Sequence, residues 1–183
     1  PVAVSHIVGN WDSYGYRRGK NMYMYKPDDE GWRLMLWDLE FSLGNGDWVS
    51  HSIYDFQQDP VFGSMLSDIP AFSREYLMAI QEAVDTVLIP SVVSPPLDER
   101  YANLTANGIN VRSPAAIKTW ISGRRGYLLS VLPSAGFGVH GPATFSVSSS
   151  NTVLTGTAPL QVANILVNGI AYPIDWLHVS TWS

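Results

Sequence analysis

Two short runs of aromatic and aliphatic residues stand out near the start of the chain, Asn21-Met-Tyr-Met-Tyr-Lys26 and Trp32-Arg-Leu-Met-Leu-Trp37. They flank Pro27-Asp-Asp-Glu-Gly31, whose Pro, Asp and Gly content marks a turn, so the pattern predicts a β-hairpin. Pairing Lys26 with Trp32 sets residue 21 opposite residue 37 and brings Asn21 and Asp38 to the open end. Upstream, Pro1 to Val8 has the character of a helix end. Residues 42–66 carry no clear period and are expected to be irregular.

Beyond them the apolar positions recur at helical spacing. Asp68 and Pro70 announce a helix with Phe72, Tyr76, Ile80, Ala83, Val84 and Val87 on one stripe. Ser94-Pro95 opens a second, with Leu97, Tyr101 and Leu104 expected to be buried and Gly108 near its stop. Ser113 and Pro114 form an N-cap and first helical position for a third. Its apolar positions are Ile117, Trp120, Ile121, Leu128 and Leu129, and Pro133 ends it. Gly123 and Gly126 weaken this helix by about 1 kcal/mol each relative to Ala unless a close contact uses them.

The pattern then changes. Residues 144–183 hold a single acidic residue, Asp175, no Lys or Arg, and many Val, Ile, Thr, Ser and Gly. Short strands are expected at about 144–149, 152–156, 162–167 and 170–175, with Asn168-Gly169 as a two-residue hairpin turn of the I′ type. The Gly- and Pro-rich stretch Pro133–Pro142 looks like a linker. The expected architecture is α+β: a β-hairpin and helical bundle at 1–133, then a β-rich module at 143–183. So small a sheet is marginal alone and is expected to pack on the helical part.

Composition narrows the function classes. The chain has 183 residues, 46% of them hydrophobic, a net charge of −5 and no cysteine. The apolar fraction excludes a disordered chain. No stretch approaches the roughly 20 apolar residues of a membrane span, so membrane insertion is not expected. The acidic balance with 11 Lys+Arg argues against nucleic acid as a partner. Without cysteine there are no disulfides, thiolate catalysis or Cys-ligated zinc. Low charge and 12% aromatic residues lean towards an extracellular or envelope protein. Starting at Pro1 with no signal-peptide pattern, the chain is expected to be a fragment.

The chemistry-bearing residues cluster around the hairpin. Asp12 falls in a loop, Asn21 at a strand start, and Asp38 at the end of the partner strand. A carboxamide beside a carboxylate gives hard oxygen ligands of the kind Mg²⁺ prefers. A second carboxylate on the preceding loop can orient a hydroxyl nucleophile or share the metal. Asp, Asn, hairpin, Asp is the order of a protein-kinase-like catalytic end, although all three residues are also ordinary turn formers or strand caps. Arg17, Arg18 and Lys20 precede Asn21 and could hold phosphate oxygens or form a solvated basic turn.

The segments His6-Ile-Val-Gly-Asn-Trp-Asp12, Lys20-Asn-Met-Tyr-Met-Tyr25 and Leu36-Trp-Asp-Leu-Glu40 resemble the spore-coat CotH kinase family. Its members carry an Asn-x-Asp loop, an Asn followed by aromatics on a strand, and a Trp-Asp-x-Asp strand end. The helical stretch is similar too, including Arg124-Arg125, so the resemblance covers about residues 1–133, the C-terminal part of the catalytic domain. It implies an atypical secreted bacterial kinase that uses ATP and Mg²⁺ or Mn²⁺ to phosphorylate protein Ser or Thr. Position by position it implies a catalytic or metal role for Asp12, and metal binding by Asn21 and Asp38. It also implies that the nucleotide-binding half, with its phosphate-binding Lys, precedes residue 1. Glu40 departs from the family's second Asp; it keeps the charge on a longer arm, and strand alternation would turn it to the side of Asp38, so Glu40 is expected with Asn21 and Asp38 as a metal ligand facing the cleft.

Other signals are weaker. Gly136-Phe-Gly-Val-His-Gly141 spells G-x-G-x-x-G but follows a helix and precedes Pro142, the wrong context for a nucleotide loop. The four His have no paired metal-ligand spacing. Asn103-Leu-Thr105 is a glycosylation sequon by pattern only. The last 40 residues look like the immunoglobulin-like modules of large secreted bacterial proteins. Two further readings stay open: a non-catalytic surface or adhesion module on a kinase-like scaffold, and a glycosidase pairing Asp12 with Asp38 or Glu40.

Overall fold

The computed structural model describes residues 2–16, 20–56, 59–142, 144, 146, 148 and 151–183. Helix α1 (Val2–Val8) leads into a loop carrying Asp12 and then the hairpin β1 (Met22–Tyr25) and β2 (Arg33–Leu36). Four helices follow: α2 (Pro60–Asp68), α3 (Pro70–Asp85), α4 (Pro90–Ala106) and α5 (Ala115–Val131). The C-terminal part holds six short strands among the described residues: β3 (Gly138–Val139), β4 (Gly156–Thr157), β5 (Leu166–Val167), β6 (Ile170–Ala171), β7 (Trp176–His178) and β8 (Thr181–Trp182). The fold is α+β with a small β module.

The hairpin has the expected register, Met22 opposite Leu36 and Tyr25 opposite Arg33. It stands away from the core. Tyr23, Met24, Tyr25, Trp32, Met35, Leu36, Trp37 and Leu39 are all exposed, with Trp37 at 64%. Residues opposite one another share a face, so the pairs Tyr23–Met35 and Met24–Leu34 put apolar groups on both sides of the ribbon.

The helical core gathers Ile7, Ile53, Leu77, Ile80, Val84, Ile121 and Leu128. Helix α3 uses its expected stripe, except that Val87 lies beyond the helix and is exposed while Leu88 is buried. Helix α2 falls in the stretch expected to be irregular; the Asp59 side chain accepts from Phe62 N and Pro60 opens the first turn, a cap pairing visible in Asp59-Pro60. Helix α4 starts at Pro90, before Ser94, and Pro95 and Pro96 lie inside it. It buries no residue, and Leu104 is exposed, because only α5 packs along it. On α5, Trp120, Ile121, Arg124 and Leu128 are buried, whereas Leu129 faces solvent. Gly123 is used as a close contact: a Cβ there would lie 3.1 Å from Val49 Cγ1, while Gly126 meets nothing. No single helix among the described residues is long and apolar enough to cross a membrane.

The β module is a four-stranded antiparallel sheet, order β3-β4-β8-β7, with a separate β5–β6 ribbon. Residues 138–139, read as linker, form its edge strand, because their extended backbone finds a partner in β4. Much of the strand expected at 144–149 lies outside the described residues. The other expected strands are shorter than anticipated, but Val167 pairs with Ile170 across Asn168 (φ 54°) and Gly169 (φ 82°). Positive φ at both positions is the I′ geometry.

The module is seated on α3. Arg74, 2% exposed, donates to the carbonyls of Pro159 (2.5 Å), Leu160 (2.9 Å), Val162 (2.7 Å) and Val179 (2.6 Å). Its guanidinium lies 3.5 Å from the centre of the Trp176 ring, a cation–π contact. Leu160 enters the helical core, while Ala158, Ile165 and Trp182 form a smaller cluster of their own. Burial lowers the pKa of Arg74, but guanidinium starts so high that it stays charged.

Candidate functional site

The loop after α1 begins at Gly9, in the left-handed region at φ 67°, which turns the chain out of the helix. Asn10, Asp12 and Ser13 are buried behind it. Asp12, 2% exposed, is held by two neighbours. Lys20 Nζ lies 2.7 Å from Asp12 Oδ2, and Asn21 Nδ2 donates to Asp12 O (2.7 Å) and Asp12 Oδ2 (3.1 Å). Lys20 itself remains half exposed, at 53%. The loop thus reaches the hairpin mouth through Asn21.

Asn21 also joins the two hairpin strands, since Trp37 N donates to Asn21 O at 3.1 Å. The next residue is Asp38. Asn21 (φ 61°) and Asp38 (φ 59°) both adopt left-handed backbone, uncommon for non-glycine residues and concentrated at functional sites. Because Asn21 spends its NH₂ on Asp12, the other branch of its carboxamide is the oxygen. That oxygen and the exposed Asp38 carboxylate are hard donors of the class that Mg²⁺ and Mn²⁺ take. The donor chemistry fits such an ion.

Glu40 is placed differently from expectation. The strand ends at Leu36, Asp38 is left-handed, and residues 39–40 form a turn, so strand alternation does not relate Glu40 to Asp38. Glu40 is exposed, and its carbonyl accepts from Asn45 Nδ2 at 2.6 Å. Among the described residues no group of three or more His, Asp or Glu gathers as a metal cage. Asp12, Lys20 and Asn21 meet directly, Asp38 joins through the hairpin backbone, and Glu40 stays apart. Arg17 lies outside the described residues.

A buried polar network beneath the loop was not anticipated. Tyr16, fully buried, donates to Asp47 Oδ2 at 2.5 Å. Asp47 Oδ1 is 3.0 Å from His51 Nδ1, and His51 Nε2 is 2.6 Å from Asp55 Oδ2. Its signal in the sequence is the spacing of Asp47, His51 and Asp55 at four-residue intervals, in which a single His alternates with two carboxylates and no His–His pair occurs. Trp11 also touches this segment: its ring is 5.1 Å from Phe41, and a Cβ at Gly46 would lie 2.6 Å from Trp11 Nε1. The network ends at an open pocket of about 820 Å³ lined by Trp48, His51, Tyr54, Asp55, Phe56 and Leu66.

Two further buried groups complete the surroundings. His6 Nε2 lies 2.8 Å from Gly15 O; the carbonyl can only accept, so Nε2 carries the proton. Burial, aided by Arg124, lowers its pKa from 6.5 to about 4. Arg124, wholly buried, donates to four carbonyls, of His6, Ile7, Val49 and His51, and burial lowers its pKa as well.

No curated protein and no solved structure matches the chain. A family model described as CotH kinase protein matches residues 2–128. The match runs from α1 through the Asp12 loop, the hairpin mouth and the helices to the Leu128 turn of α5, well over half of the molecule. The chain belongs to the CotH kinase family.

Proposed function

We propose that this chain is the catalytic-end portion of an atypical protein kinase that transfers phosphate from ATP to protein Ser or Thr with Mg²⁺ or Mn²⁺. The observation that carries the reading is Asn21: its side chain grips Asp12 while its backbone grips the strand end that leads to Asp38. In this reading the Asn21 carboxamide oxygen and the Asp38 carboxylate hold the ion. When bound, the ion supplies charge neutralisation at the phosphates. Asp12 Oδ2, oriented by Lys20 and Asn21, accepts the proton of the acceptor hydroxyl. The contribution of these residues is positioning and electrostatics, as phosphoryl transfer requires. Lys20, the expected phosphate contact, sits between Asp12 and solvent and is placed to follow either partner. Glu40 is assigned at most an indirect role, through water or long-range charge.

The exposed apolar residues on both sides of the ribbon support assigning the nucleotide-binding part to another portion of the polypeptide that covers it, since contiguous exposed apolar surface marks interaction sites. This chain alone is therefore expected to phosphorylate poorly. The low charge and 12% aromatic residues support a secreted or envelope location, with the β module as an immunoglobulin-like spacer.

The test is Mn²⁺ titration of the chain and its Asp38→Asn and Asn21→Ala variants by electron paramagnetic resonance. Binding that falls at least about tenfold in both variants is expected, a loss of about 1.4 kcal/mol or more. Indifference to both would favour the non-catalytic surface module, which the exposure of Glu40 on a turn outside the hairpin strand also suits.

A further inference from the structure

The two segments that meet at the hairpin mouth have little regular structure of their own. Residues 9–16 and 38–56 contain no helix or strand among the described residues; they touch each other through Tyr16 and Asp47 and through Trp11 and Phe41, and Leu43 N donates to Val8 O at 2.7 Å just before the first segment. One face of α5 contacts both of them. Gly9 lies three residues before Asp12, and Gly44, at φ 96°, six residues after Asp38. A Cβ at Gly9 would sit 2.9 Å from Trp120 Cζ2, and one at Gly44 would sit 2.8 Å from Trp120 Cδ1. The indole is therefore in direct contact with both backbones, closer than any side chain would permit. Its Nε1 donates to Asp47 O at 3.0 Å.

One turn further along α5, Arg124 repeats the arrangement with hydrogen bonds. It donates to His6 O (2.5 Å) and Ile7 O (3.3 Å) on the Asp12 side. On the other side it donates to Val49 O (2.8 Å) and His51 O (2.6 Å). Between these two residues, Gly123 lets Val49 approach the helix. A guanidinium has five donors in a rigid fork, so its four carbonyl partners cannot move independently.

We infer that Trp120 and Arg124 are positioning residues: they set the separation of the Asp12-bearing and Asp38-bearing segments, and so the geometry of a site neither of them touches. The chemistry assigned to that site rests on the proposal above; the positional claim concerns the metal-free chain and can be measured without it. A merely structural core pair would lower global stability when altered. A positioning pair must also couple the two segments, so that disturbing one moves the other.

The experiment compares the 183-residue chain with Gly44→Ala, Trp120→Phe, their double variant, Arg124→Lys and, as control, Gly126→Ala, whose new methyl meets open space. Deuterium uptake is read for peptides spanning 6–16 and 38–51, with Mn²⁺ affinity and thermal midpoint alongside. Gly44→Ala is expected to raise uptake in both peptides and weaken Mn²⁺ binding about tenfold. In the Trp120→Phe background its effect should shrink by at least about threefold, because the strain at φ 96° is common to both and cancels in the cycle. Uptake in 6–16 unmoved by Gly44→Ala, or effects that simply multiply in the double variant, would overturn the inference. Should Gly44→Ala fail to fold, Trp120→Phe and Arg124→Lys decide by the same two peptides: joint change supports coupling, change in only one refutes it. A wild-type chain that binds no Mn²⁺ would sink the functional proposal, while the exchange data would still decide the positional one.

Discussion

Acid should unfold this protein through His6, and the size of the effect follows from its surroundings. The ring is wholly buried, 4.1 Å from the Tyr16 ring and 4.7 Å from that of Phe56. Its Nε2–H is used on Gly15 O, and Nδ1 has no hydrogen-bond partner among the described residues. A second proton would have to sit on Nδ1, without an acceptor and near the Arg124 guanidinium. Desolvation comes first among the causes that lower the pKa, with Arg124 and His51 adding to it and the Gly15 bond and Asp55 opposing. The folded state keeps His6 neutral where the unfolded chain takes up a proton. Stability from this group is therefore fully present above the unfolded pKa of 6.5 and falls away as pH drops towards about 4. At about 1.4 kcal/mol per pH unit, the interval from 6.5 to about 4 is worth about 3 kcal/mol. Urea unfolding of wild type and His6→Gln at several pH values between 7.5 and 4 isolates it, since the other titrating groups are common to both. The advantage of wild type over the variant should shrink by about 3 kcal/mol across the range. Parallel pH profiles for the two proteins would refute the reasoning.

Arg74→Met is expected to unseat the β module at a cost of about 3 kcal/mol, because four carbonyls lose a charged donor at once; limited proteolysis between residues 133 and 142 should accelerate, and unchanged cleavage would contradict it. Gly126→Ala should stabilise the chain by about 0.5–1 kcal/mol, since it lies in an exposed helix interior with open space. Gly123→Ala should gain less or lose, because its methyl meets Val49; equal thermal midpoints for the two variants would count against the contact. Asn168→Val should lower stability by about 1 kcal/mol or more, as a β-branched residue resists the left-handed backbone of the turn, and a neutral result in chemical denaturation would argue against the I′ geometry.

Local chemistry in the sequence carried the hairpin far. Lys26 and Trp32 bracket a turn with a definite register, and that register alone set Asn21 beside Trp37. It could not reveal that Asn21 would turn its amide on Asp12, because that contact depends on how the loop leaves α1 at Gly9. Glu40 was misplaced for a related reason: the left-handed backbone at Asp38 ends the alternation, and nothing in Trp-Asp-Leu-Glu announces it. Helix α4 was expected to have a buried stripe because Leu97, Tyr101 and Leu104 recur at the right spacing. Periodicity shows that a face exists, not that anything covers it. The Tyr16–Asp47 bond and the two-sided contacts of Arg124 join residues far apart along the polypeptide, and such long-range pairings leave no periodic trace.

Arg74 grips the β module by main-chain oxygens. Every amino acid supplies the same carbonyl, so this grip constrains the backbone of residues 159–162 and 179 rather than their side chains; Leu160 is held separately, by its burial in the helical core. Exposed positions of the module could drift in sequence and leave the seat intact, provided the turn, the buried Leu160 and the Trp176 ring are kept. On the kinase-like side the demand for constancy falls on a single position, Arg74, which reads the shape of the turn through its oxygens and one aromatic face.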